Sequence, residues 1–158
     1  QLPGGSGPRH MDFHPNFEFM YISAELSNQI FTLRFNEDGV ASVVSCTNIT
    51  ECKGFMILTA HLQVSEQYNM LYACVRGTDE IVWYSLGADG SELTFCGRCP
   101  SGGHFPRYFL LDESSSQLFI ANQLGGGVSI FNVGKDGAVH SPARVKLEAS
   151  GAAAIILM

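Results

Sequence analysis

Residues 8–39 read PRHMDFHPNFEFMYISAELSNQIFTLRFNEDG, and the same grammar returns at 59–90 as TAHLQVSEQYNMLYACVRGTDEIVWYSLGADG and at 106–137 as PRYFLLDESSSQLFIANQLGGGVSIFNVGKDG. Each segment is 32 residues long, the first and third align without a gap, and the repeat starts lie 51 and 47 residues apart. Tyr21, Tyr72 and Phe119 fall in one column, and Asp38-Gly39, Asp89-Gly90 and Asp136-Gly137 in another. Within each copy a short apolar stretch (Met11 to Phe13, Leu62 to Val64, Phe109 to Leu111) meets a polar turn, then an aromatic and aliphatic run such as Phe19-Met20-Tyr21-Ile22. A second polar break leads to an alternating run, and the Asp-Gly pair introduces a fourth, Val40 to Val44, Glu92 to Cys96 or Ala138 to Val145. Short period-two runs bounded by Gly, Asn, Asp and Ser are strands, and Asp-Gly between two of them marks a hairpin. Each repeat therefore predicts four antiparallel strands.

Four strands recurring at this period are the pattern of a β-propeller blade. The expected fold is all-β: a partial propeller with blades at about 8–58, 59–105 and 106–151, and the first strand of a fourth at 152–158. Propellers close with roughly four to eight blades, so three blades leave an open ring. Its strand edges call for cover, either by missing N-terminal blades or by self-association. The sequence opens on Gln1 with no initiator methionine, which points to a native N-terminus lying further upstream.

Composition narrows the function classes. Nine Lys and Arg against 15 Asp and Glu give a net charge of −6, unlike the clustered positive face of a nucleic-acid binder. Charged residues are 15% of the chain, against a norm of roughly 25%. The longest wholly apolar run, Ala152 to Met158, falls well short of the roughly 18 residues of a membrane helix. Five cysteines (Cys46, Cys52, Cys74, Cys96, Cys99) at irregular spacing favour reduced thiols and a cytoplasmic setting over a disulfide framework. Cys96-x-x-Cys99 with His104 offers three metal ligands where a structural zinc needs four, and no metal or cofactor is expected. The chain has no Gly-x-Ser-x-Gly elbow, phosphate loop or dinucleotide fingerprint. His14, in a Phe-His-Pro turn, reads as a packing histidine, and Trp83 as packing between blades.

The repeat alignment separates structural columns from chemical ones. Arg9-His10, Ala60-His61 and Arg107-Tyr108 share the start of the innermost strand, while Glu25, Arg76 and Gln123 share the end of the second. Equivalent strand ends in adjacent blades converge on one mouth of the central channel. Arg9, Arg76 and Arg107 would thus place three of nine basic residues around one opening, a local field suited to an anionic ligand.

At this point the residues carry a resemblance. Gly7-Pro8-Arg9-His10, Phe13-His14-Pro15, the Tyr21 to Glu25 run, Arg76-Gly77, Pro106-Arg107-Tyr108-Phe109 and Ala121-Asn122-Gln123 resemble the lactonase family of seven-bladed propellers over essentially the whole chain. That family contains bacterial-type 6-phosphogluconolactonases and fungal carboxy-cis,cis-muconate cyclases, and the match corresponds to the C-terminal half of such a protein. The resemblance implies that Arg9, Glu25 and Arg76 match residues proposed for the active site of the cyclase branch, with His10 and Arg107 beside them. Tyr108 stands where the family's later blade usually has His, and the stretch 152–158 lacks the usual Pro.

The implied function is hydrolysis of 6-phospho-D-glucono-1,5-lactone in the pentose phosphate pathway. The alternatives are a carboxy-cis,cis-muconate cycloisomerase and a non-catalytic propeller scaffold. Lactone hydrolysis requires an activated water, a donor for the oxyanion and fixed positive charge for a phosphate. His10 or Glu25 is the expected acid or base, and Arg9 and Arg76 the anion-binding and oxyanion groups. Arg107, His61 and Gln123 are expected to contact an anionic lactone or carboxylate.

Overall fold

Each repeat folds as one sheet. The computed structural model describes residues 1–50 and 56–156. The first blade holds β1 (Pro8–Phe13), β2 (Phe19–Ala24), β3 (Gln29–Phe35) and β4 (Ala41–Asn48). The second holds β5 (Leu58–Ser65), β6 (Met70–Arg76), β7 (Glu80–Leu86) and β8 (Leu93–Pro100), and the third β9 (His104–Asp112), β10 (Gln117–Gly125), β11 (Val128–Val133) and β12 (Val139–Leu147). In every sheet the strands pair antiparallel in chain order, as three meanders with no crossover. The innermost strands β1, β5 and β9 lie side by side. No helix among the described residues is long and apolar enough to cross a membrane.

The outer strands reach beyond the apolar runs that signal them. β4 continues past Val44 to Asn48 and β8 past Cys96 to Pro100, because an outermost strand is solvated along much of its length and its ladder extends through polar residues. A register shift between the third and fourth strands recurs at one alignment column, at Thr32/Leu33, Trp83/Tyr84 and Ile130/Asn132. A bulge adds local twist, and its recurrence gives each blade the same bend. Residues 152–156 form no strand, since none of the described strands offers them a ladder. The last two residues of the stretch expected as a fourth-blade strand lie outside the described residues, as do Cys52 and the rest of 51–55 of the expected first blade.

Two apolar seams join the blades. Tyr21, Ile30, Leu62, Leu71, Val82 and Tyr84 fill the first seam, and Tyr72, Trp83, Phe109, Leu118, Ile120 and Phe131 the second. Trp83 thus packs between blades, as its sequence context suggests. Polar contacts repeat across both seams with the alignment. The Tyr21 hydroxyl donates to the Gly90 carbonyl at 2.8 Å, and the Tyr72 hydroxyl to the Gly137 carbonyl at 2.7 Å. Asn28 and Asp79, both at positive φ, accept from Thr59 N and Phe105 N of the following blade at 2.8 and 2.9 Å. Asp12 and Gln63 accept from Val64 N and Leu111 N. The three corresponding positions of the third blade are Phe119, Gly126 and Leu110, so the donor and acceptors repeated in the first two blades are absent from it.

Candidate active site

Glu25 follows the last residue of β2, where its backbone N donates to the Gly7 carbonyl at 2.7 Å and fixes its direction. One carboxylate oxygen lies 3.3 Å from Arg9 Nε of β1, and the other receives Arg76 Nη2 from the end of β6. Glu25 therefore serves two guanidinium groups across the first seam. Arg76 is buried, with its guanidinium 5.2 Å above the Phe105 ring. Arg9 Nη1 and Arg76 Nε are buried and make no hydrogen bond among the described residues. These donors point to a cluster built for more than the internal ion pair. Burial is the main cause lowering the Arg9 pKa, followed by repulsion from Arg76, which the attraction of the Glu25 carboxylate opposes and the charge of Arg107 reinforces.

Beside the arginines, His10 Nδ1 lies 3.1 Å from His61 Nδ1. His10 N donates to Ser23 Oγ, and that hydroxyl reaches the Ala60 carbonyl at 3.0 Å, tying β1 to β5. The His61 ring stacks on Tyr108 at 4.2 Å between centroids and meets Phe109 edge-on at 4.8 Å. One chain of rings thus crosses both seams. Burial, then the charges of Arg9 and Arg107, lowers the His10 pKa, while burial and His10 push His61 down to about 3. Both imidazoles are neutral at neutral pH. Cys74, wholly buried beneath them, has its thiol pushed up to about 12 by burial and is unsuited to nucleophilic work.

The structure brings together all seven residues singled out from the sequence. Arg107 is close enough to act on both Arg9 and His10 and donates from Nη1 to Gln123 Oε1 at 3.4 Å. Sequence reasoning missed two features: the Phe105 face beneath Arg76, whose column holds Gly7 and Leu58 in the other blades, and the Tyr108 ring as a platform for His61. His14 lies outside the cluster, buried against Tyr21. Cys96 is exposed and Cys99 buried on β8, and no group of three His, Cys, Asp or Glu among the described residues is placed to hold a metal. The surface concavities lined by Phe17, Arg34 and Phe35, and by Gly126, Gly127 and Glu148, lie elsewhere.

Comparison with known proteins agrees with this architecture. The family model described as lactonase, seven-bladed β-propeller, matches residues 1–155. A 6-phosphogluconolactonase of Erwinia tasmaniensis is 30% identical over 138 residues, covering 87% of this chain and 42% of that protein. An uncharacterized protein of Staphylococcus saprophyticus is 33% identical over 121 residues, 77% of this chain and 35% of its own length. The periplasmic gluconolactonase of Pseudomonas aeruginosa superposes with a TM-score of 0.86 at 25% identity, over 95% of this chain and 42% of that one. The chain thus spans well under half the length of these relatives. With three repeated four-stranded blades and a family match along nearly its whole length, the chain belongs to the seven-bladed β-propeller lactonase family.

Proposed function

We propose that this chain supplies the catalytic wall of a lactone hydrolase whose substrate is 6-phospho-D-glucono-1,5-lactone. The observation that carries the reading is Glu25 holding two guanidinium groups from adjacent blades, each with a buried donor to spare, beside a neutral imidazole. The name of the Erwinia relative supports the substrate. In this mechanism His10 takes a proton from water as the oxygen attacks the lactone carbonyl. The carbonyl π electrons move onto oxygen, where Arg9 or Arg76 donates to the oxyanion. Collapse breaks the bond to the ring oxygen, which takes the proton back from His10 and leaves the open-chain carboxylic acid. Three arginines against one carboxylate leave net positive charge for a phosphate. Such a substrate belongs to the pentose phosphate pathway and, being an ionised phosphate, to the cytoplasm.

The test is hydrolysis of 6-phosphogluconolactone, corrected for spontaneous opening, by the protein and its Arg9→Ala and Arg76→Ala variants, with muconolactone formation assayed in parallel. Each substitution is expected to lower kcat/KM by about 10²-fold or more, the scale of a lost oxyanion donor. Hydrolysis indifferent to both substitutions would overturn the site. Turnover of the muconate alone would assign the cycloisomerase instead.

A further inference from the structure

We propose that His61 is a positioning residue: its Nδ1 accepts a hydrogen bond from His10 Nδ1–H and thereby leaves the His10 Nε2 lone pair free to take a proton. The inference rests on the reading of His10 as the base.

The two Nδ1 atoms stand 3.1 Å apart, a hydrogen-bond distance at which one nitrogen must carry the hydrogen and the other the lone pair. With both rings neutral, the residues hold opposite tautomers. If His61 donated, His10 would carry its hydrogen on Nε2 and could take up a proton only at Nδ1, after breaking the contact. If His61 accepts, His10 presents Nε2 as a lone pair. On protonation its Nδ1–H keeps the same acceptor, and the imidazolium forms without rearrangement.

The surroundings fit His61 as the fixed member. Its ring lies against Tyr108 and Phe109 of β9, and its carbonyl receives the Cys74 thiol of β6 at 3.8 Å. These contacts fix the ring face and leave an edge for His10, the two planes standing at 82°. His10 faces Arg9, Arg76 and Arg107, whose charges disfavour its cationic form, and Glu25, which favours it. An acceptor on Nδ1 offsets part of that repulsion while adding no negative charge beside an anionic substrate. The neighbour is supplied by the next blade, so base and orienting group meet only when the first seam is closed.

Nitrogen-15 NMR of histidine-labelled protein at neutral pH reads the tautomers directly. The expected spectrum has His10 protonated at Nδ1 and His61 at Nε2. His61→Phe, which keeps a ring on Tyr108 but removes the acceptor, should move His10 toward the Nε2–H form and lower kcat about tenfold with little change in KM. His61→Asn, whose side-chain carbonyl can accept, should retain the His10 tautomer and recover most of kcat. His10 found as Nε2–H in the unsubstituted protein, or unmoved in His61→Phe, would overturn the proposal. Tautomers as stated in a protein that hydrolyses no lactone would uphold the hydrogen bond and overturn the hydrolase reading alone.

Discussion

Glu25 links the two blades at the point where the chemistry sits. Removing its charge leaves Arg76 buried and facing Arg9 with no anion between them, and breaking a buried pair from one side costs far more than the pair's net worth. Its side chain is 28% exposed, which brings water near enough to soften the effect. Glu25→Gln should destabilise the protein by about 2–3 kcal/mol in chemical denaturation. Glu25→Gln with Arg76→Met should cost less than the sum of the single changes, since the double variant leaves one guanidinium, that of Arg9, without its carboxylate where Glu25→Gln alone leaves two. Additive losses would place the pair's energy elsewhere. The two histidines carry a pH signature of opposite origin. Their folded-state pKa values lie below the ordinary imidazole value of about 6.5, so between there and about 3 for His61 the unfolded chain binds more protons. Stability contributed by neutral His61 is complete above the unfolded pKa and is lost as pH falls through this window. The steepest slope is about 1.4 kcal/mol per pH unit for one histidine. Denaturation midpoints measured from about pH 7.5 to 4.5 should fall, and His61→Phe should flatten the fall.

The turn of each Asp-Gly hairpin does two jobs in the second and third blades and one in the first. Gly39, Gly90 and Gly137 all sit at positive φ, each donating back three residues to close its turn. A side chain at Gly39 would meet nothing within 4 Å, whereas a Cβ at Gly90 would stand 2.9 Å from the His14 ring and 3.1 Å from Phe19 of the first blade. Gly39→Ala should therefore cost about 1 kcal/mol, the strain of the left-handed backbone. Gly90→Ala should cost about 3 kcal/mol, because rigid rings in the first seam must move as well. Thermal melts of the two variants decide it, and equal losses would deny Gly90 its part in the seam. Tyr72→Phe, which leaves the buried Gly137 carbonyl without its hydroxyl donor, should cost about 1–2 kcal/mol. These elements also show where the sequence was legible. Asp-Gly and the Tyr column could be read directly, because turn chemistry and an aromatic recurring at fixed spacing leave a mark in one dimension. The cross-seam partners could not, since Asn28 with Thr59 and Glu25 with Arg76 depend on how one blade rotates against the next. Columns placed Arg9, Glu25 and Arg76 near one mouth, yet nothing in them reveals that one carboxylate holds both guanidinium groups, or that Phe105 lies under one of them.

At the scale of the molecule, the candidate site is a property of the seams. Arg9, His10 and Glu25 come from the first blade, His61 and Arg76 from the second, and Tyr108, Arg107 and Gln123 from the third. Blades that contact only their neighbours in sequence behave as a one-dimensional array, in which stability is a sum of unit and interface contributions. The second blade has a packed seam on each face, and β6 and β7 are buried along almost their whole length. The first blade leaves Met11, Phe13 and Phe17 exposed, and β4 is exposed along much of its outer edge. Native-state hydrogen exchange should therefore be slowest in β6 and β7, intermediate in β2 and β10, and fastest in β4. The central strands should exchange only through global opening. Glu25→Gln should lower protection in the first blade more than in the third, because it weakens one seam and leaves the other intact. Uniform protection across all three blades, lowered uniformly by the substitution, would show a single cooperative unit, and the blade-by-blade account of the site would fall with it.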